Sequence, residues 1–225
     1  MRERTTALAV ALGLAVAGLA CSSTESNVVN QYFTALRAND QGTLTSFAMV
    51  AFDQTVDDWK VVSVGPGTKT PAMLPDLVKK AAEVEARQKA NEKEYRAWGN
   101  DLAVYTKLDQ MRAVRAKGGK ITPPLQPIAD KFDAFQAKDR ELKKAVSDAK
   151  AAVEREKRNA ALSVGQSDDI ETLTGEVLSK DVELNLTIGG QVKPYVMTLR
   201  KYELTGGTGA RMVARWVVQS LAPKG

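Results

Sequence analysis

The sequence has no histidine and a single cysteine in 225 residues. The first absence removes the commonest general base and the commonest transition-metal ligand. The second excludes an intrachain disulfide. Charge of one sign is not concentrated either. Lysine and arginine number 32 against 27 acidic residues. The signs intermix, as in Lys138-Asp-Arg-Glu-Leu-Lys-Lys144, which is the pattern of a solvated helical face. A nucleic-acid partner needs one-signed clustering with stacking aromatics, so none is expected. Val64-Gly-Pro-Gly-Thr-Lys-Thr70 offers glycines and a lysine, but Pro66 and the missing Gly-Lys-Ser/Thr order rule out a phosphate loop. Serine-based catalysis has no histidine to serve it. Asp53, Asp57 and Asp58 would suit a base or a cation site, yet without a second ligand cluster they read as a solvated acidic loop. No catalytic residue, metal or cofactor is expected, and the chain reads as a non-enzyme.

A long apolar run occurs once, from Thr6 to Ala20. It is too short for a membrane span, which takes about 20 residues. Preceded by Arg2 and Arg4, it has the proportions of a signal-peptide core. It ends at Ala17-Gly-Leu-Ala-Cys21-Ser-Ser23, so the single cysteine sits where cleavage is expected. This stretch resembles a bacterial lipoprotein signal, in which the cysteine is lipidated and becomes the first mature residue. Ala20 fits that pattern; Gly18 stands where such signals usually carry leucine. Ordinary cleavage near Ala20 would leave a free thiol, a liability in an oxidising compartment. The expectation is a signal peptide over 1–20 and a lipidated tether over 21–27, palmitate on Cys21 being one form of the lipid. It would anchor the chain to the cell or outer membrane, with its bulk in the bacterial cell envelope outside the cytoplasm. Without Arg2, Glu3 and Arg4, the remaining 30 basic and 26 acidic residues leave a charge of +4.

The folded part opens with Val28, Val29, Tyr32, Phe33 and Leu36 at helical spacing, followed by a shorter helix with Leu44 and Phe47. Trp59–Val64 reads as a strand ended by Gly65-Pro-Gly67. No partner for it appears in the next hundred or so residues. Leu74–Lys117 and Leu125–Ala160 each carry one apolar seam with steps of three and four, separated by Lys117-Gly-Gly-Lys-Ile-Thr-Pro-Pro-Leu125. They predict an antiparallel coiled-coil hairpin with two arms of matching length, about 60 Å each. Asp139 and Glu156 interrupt the second seam, and basic residues of the first arm are the expected partners. Three strand-like runs follow. Val182, Leu184, Leu186 and Ile188 alternate in the first, Tyr195, Met197 and Leu199 in the second, and Met212, Ala214, Trp216 and Val218 in the third. Short connections make them an antiparallel meander, and Trp59–Val64 is the obvious fourth strand. The fold class is α+β. A split domain of helices and a four-stranded antiparallel sheet, 26–68 joined to 168–223, would hold the hairpin of 72–163 as a removable insertion.

Val28-Val-Asn-Gln-Tyr-Phe-Thr-Ala-Leu-Arg-Ala-Asn-Asp40 and Ala214-Arg-Trp-Val-Val-Gln-Ser220 resemble the opening helix and last strand of the nuclear transport factor 2-like (cystatin-like) superfamily. The resemblance covers the globular half. It implies a helix packed into a curved antiparallel sheet with room for a pocket, in a superfamily holding both enzymes and non-catalytic modules. Tyr32, Phe47, Trp59, Tyr195 and Trp216 would then either line a pocket or form the core. The expected function is a lipid-anchored binding or scaffolding module that meets a protein partner through the hairpin. The alternative is a pocket for a small apolar ligand, or an enzyme, in the sheet-helix domain.

Overall fold

The structure is a computed structural model that describes residues 23–167, 169–206, 209 and 211–225. The expected signal segment and Cys21 lie outside them.

Ser23 caps the first helix: its Oγ accepts from the Ser26 amide at 3.2 Å, and α1 spans Thr24–Arg37. Asn39, with φ at 53°, turns the chain, and Asp40 caps α2 (Gln41–Phe47) by accepting from the Thr43 amide at 2.9 Å. Then come β1 (Asp58–Val64) and β2 (Thr68–Pro71), followed by α3 (Leu74–Gly99), α4 (Leu102–Ala116) and α5 (Gln126–Val164). The chain closes with β3 (Thr174–Ile188), β4 (Gln191–Thr205) and β5 (Val217–Pro223). The sheet is antiparallel in the order β1-β3-β4-β5. β1 meets β3 across the whole helical segment, with Trp59 opposite Leu186 and Val64 opposite Val182.

Two strand boundaries depart from the sequence reading. Gly65-Pro-Gly67 does not end the edge. The Gly65 amide donates to Asp181 O at 2.7 Å, and β2 resumes pairing against Glu176–Ser179, giving a fifth strand on the same side of β3. The last strand starts at Val217 rather than near Met212, because the preceding backbone is engaged elsewhere. The Arg215 amide donates to Ser163 O at 3.0 Å, and its carbonyl accepts from Ser163 Oγ at 2.7 Å.

The long β3–β4 pair is buried on opposite faces at its two ends. Val182, Leu184 and Leu186 of β3, with Tyr195, Met197 and Leu199 of β4, pack under α1 and α2 with Tyr32, Phe33 and Phe47. Val177 of β3 and Tyr202 and Leu204 of β4 have the other parity, and β3 and β4 pair without a shift between these positions. They therefore face the opposite side. There they pack against Leu74, Val153 and Ala160 at the base of α3 and α5, and against Ile170 in the turn that follows α5. The helical segment is thus not only appended to the sheet; its base closes a second core.

α3 and α5 run antiparallel, with Glu85 near Lys150 (3.7 Å) and Glu94 near Lys138 (3.9 Å). The expected arms of matching length are not found. α3 has 26 residues and α5 has 39, about 39 and 58 Å. Gly99-Asn-Asp101 breaks the first arm, and Asp101 Oδ1 accepts from the Ala103 and Val104 amides at 2.9 and 3.1 Å, capping a new helix. α4 folds back: Arg112 Nη2 reaches Tyr95 Oη at 3.2 Å, two groups that a continuous helix would hold about 25 Å apart. Leu108 and Met111 then pack on Leu125 and Ala129, making the far end of the arm a three-helix cluster.

Candidate functional site

The sequence-predicted aromatics fall into the core. Tyr32 is fully buried and its hydroxyl donates to Val50 O at 3.1 Å. Burial pushes its pKa up to about 12, with the Phe52 backbone pulling slightly the other way. Phe47, Tyr195 and Trp216 are buried in the same cluster. Trp59 is half-buried on the flank, stacked on Phe33 with centroids 5.3 Å apart, with Arg37 4.7 Å over its ring and its Nε1 donating to Asn30 at 2.9 Å. These five residues do not converge on one chamber. Phe47 and Trp216 alone border a cavity, of about 460 Å³, between the start of α1, the sheet and the Ala214–Trp216 approach to β5. Asp57 serves the sheet: its Oδ2 accepts from the Gly190 amide at 3.2 Å, and its carbonyl accepts from Arg37. Among the described residues no group of three or more acidic or cysteine side chains is placed to hold a metal ion.

The arm carries two features that lie outside that set. At its far end Tyr95, Trp98, Phe132 and Phe135 form an aromatic cluster, with Tyr95 and Phe135 centroids 5.5 Å apart. Arg112 lies 5.6 Å over Phe132, and Lys131 lies 5.3 Å over Trp98. Beside it, Leu102 and Tyr105 at the start of α4 are 79% and 60% exposed. Along its length the α3 seam is only half covered: Leu77, Val78, Val84, Gln88, Tyr95 and Trp98 are all intermediate in exposure. Asn91, at 3% exposure, keeps a carboxamide oxygen without a hydrogen-bond partner among the described residues. It borders a notch of about 320 Å³ with Tyr95, Phe135 and Asp139.

The seam interruptions find partners other than those expected. Asp139 pairs with Lys143 of its own helix at 2.8 Å. Glu156 accepts from the Tyr202 hydroxyl at 2.9 Å and lies 4.0 Å from Arg200, so the sheet, not the first arm, answers it. Burial and the nearby Glu156 charge raise the Tyr202 pKa well above the ordinary tyrosine value. Arg215 joins the parts. Its Nε donates to Leu162 O and its Nη2 to Ser46 O, each at 2.8 Å, so one guanidinium satisfies the C-terminal ends of both α5 and α2. Among the described residues no helix is long and apolar enough to cross a membrane. Compared with known protein families, curated proteins and solved structures, the chain finds no match.

Proposed function

We propose that this is a lipid-anchored, non-enzymatic module of the bacterial cell envelope, tethered through Cys21, that engages a protein partner along its helical arm. On this reading the chain is a split domain of the nuclear transport factor 2-like kind, interrupted by a coiled-coil hairpin. The observation that carries it is the half-covered seam of α3: from Leu77 to Trp98 the apolar stripe is neither solvent-exposed nor closed over. Two helices cover one side of such a stripe, and a third helix or partner surface completes it. The aromatic and cationic groups at the arm's far end suit the anchor of such a contact.

The test is photo-crosslinking in the native envelope from single positions. A crosslinker at Val84 or Tyr105 is expected to capture one discrete protein, whereas one at Val192, in the exposed β3–β4 hairpin, captures none. Equal labelling from all three removes the arm as the contact surface. Cys21→Ser is expected to release the protein from membranes, and persistence in the membrane fraction counts against the anchor. A second reading, a ligand pocket in the sheet-helix domain, is favoured by the cavity beside Trp216.

A further inference from the structure

On the α1 side of the sheet, β3 presents Leu178, Lys180 and Val182, and β4 presents Met197, Leu199 and Lys201. Parity assigns all six to the buried face, yet two are lysines. They lie where the sheet changes which side it buries, just beyond the last residues covered by α1 and α2. Lys201 is opposite Leu178 and Lys180 is opposite Leu199, so the two are diagonal neighbours. Each ammonium lies 5.6 Å from the centroid of the Trp216 ring. Arg215 reaches the same cavity from the approach to β5, and Val28, Phe47 and Leu178 give it an apolar wall.

The charges there do not balance. Glu25 is the one carboxylate on the wall among the described residues, and it is bound to Lys180 at 2.6 Å. Glu203, the partner of Lys201 at 3.1 Å, also serves Lys69 and Arg211. Arg215 touches carbonyl oxygens and has no carboxylate within ion-pair distance among the described residues. With Lys180 paired to Glu25 and Lys201 sharing Glu203 with Lys69 and Arg211, positive charge exceeds negative around the wall, next to apolar side chains in a space of ligand size. An anion alone would not use the apolar wall, and an apolar ligand would leave Arg215 and the shared Glu203 pairing of Lys201 without further negative charge. α1 begins at Thr24 on this wall, three residues from Cys21, a reach of at most about 10 Å.

We propose that this cavity binds the head group of an anionic phospholipid of the anchoring membrane. Its phosphate lies against Lys180, Lys201 and Arg215, and the first tail carbons lie against Phe47 and Leu178. The proposal deepens the pocket reading and rests on it. The probe is dihexanoyl phosphatidic acid, below its critical micelle concentration, titrated calorimetrically into the full chain carrying Cys21→Ser. Dihexanoyl phosphatidylcholine and inorganic phosphate form the comparison arms. Saturable binding of one phosphatidate per chain is expected, about tenfold or more tighter than either comparison ligand, with Lys201→Gln weakening it by about tenfold and Lys201→Arg keeping it. Circular dichroism confirms that each variant is folded. Phosphatidylcholine binding as tightly as phosphatidate overturns the proposal, as does an unchanged affinity in Lys201→Gln. Inorganic phosphate matching phosphatidate makes the cavity a phosphate site and removes the lipid. None of these titrations depends on the arm's partner or on Cys21 lipidation, so those readings stand or fall separately.

Discussion

The sheet-helix body and the arm bury apolar surface by different standards. Under α1 and α2 the side chains of β3 and β4 interdigitate with helical aromatics, and the buried Tyr32 hydroxyl has its acceptor. In the arm, α3 fully buries only Leu74 and Asn91 among its 26 residues. Between Phe135 and Val153 of α5, only Leu142 is fully buried. The difference is geometric. A sheet face covered by two helices encloses side chains from three sides, whereas two helices side by side enclose only the line between them. The body is therefore the rigid part, and the middle of the arm is the part with the least local stability of its own. What joins them is the second core, where the base of the arm is held to the body's standard by Val177, Tyr202 and Leu204.

The largest effect should come from cutting the arm at two different heights. Replacing residues 86–149 with a short Gly-Ser link keeps Glu85 and Lys150, 3.7 Å apart, as the new end. It leaves the second core intact, and the remaining protein is expected to unfold cooperatively in urea with native sheet content. Replacing 72–162 removes Leu74, Val153 and Ala160 from Val177, Tyr202 and Leu204. At roughly 1.5–3 kcal/mol for each large buried side chain, this loss approaches the whole stability of a small domain. Equal urea midpoints for the two deletions would show that the arm's base contributes nothing to the body.

Gly175 tests the same junction with one methyl group. It sits in β3 at φ 148°, and a Cβ there would lie 2.2 Å from Glu203 O of the paired strand. Backbone, not a flexible side chain, is in the way, so the strands must part where the second core begins. Gly175→Ala is expected to cost about 3 kcal/mol, read as a shift in urea midpoint. A shift below about 1 kcal/mol would mean that this end of the sheet is loosely held.

Much of the body is legible in the sequence. Val29, Tyr32 and Phe33 mark α1 by spacing, and Trp59–Val64 has to find its partner beyond the helices because no second alternating run is legible before them. The change of buried face is not legible. Val177 and Tyr202 each fit a plausible alternation, and only the helices packed on the far side decide which parity is buried. The break at Gly99-Asn-Asp101 carried a signal, a glycine followed by an N-cap aspartate. The continuing apolar spacing of Trp98, Leu102 and Tyr105 concealed it. Glu156 looked like a flaw in a helical seam because its partner, Tyr202, lies 46 residues away on a strand. The cavity also had a mark: Lys180 and Lys201 stand at inward positions of otherwise apolar alternation.

Alkaline pH separates the body from the arm more gently. Tyr32 and Tyr202 both have raised pKa values, Tyr32 to about 12, whereas an unfolded tyrosine titrates near 10. A raised folded pKa means stability that is complete below pH about 10 and is lost as the unfolded chain ionises first. The urea midpoint is expected to hold steady up to about pH 10 and then fall, Tyr32 alone accounting for about 1 kcal/mol by pH 11. Tyr32→Phe, less stable at pH 8, should lose less than the parent between pH 8 and 11. Equal losses would remove Tyr32 as the cause.

The smallest effect bears most directly on why the arm is built loosely. Asn91 occupies a buried seam position with its carboxamide oxygen unpartnered among the described residues, and an unmet buried acceptor destabilises the free protein. Replacing it with leucine removes the unmet group and adds apolar contact with Tyr95 and Phe135 across the notch. Asn91→Leu is therefore expected to stabilise the arm, by up to about 1 kcal/mol, measured as slower amide hydrogen exchange in α3 and the facing part of α5, with exchange in β3 and β4 unchanged. A core selected for stability alone would not leave that gain unused. If the arm instead works by opening its seam to a partner, Asn91→Leu should weaken capture from Val84 in the crosslinking experiment while tightening the free arm. Tightening without loss of capture would make Asn91 a defect that the fold tolerates, and would move the contact surface away from this stretch of the seam.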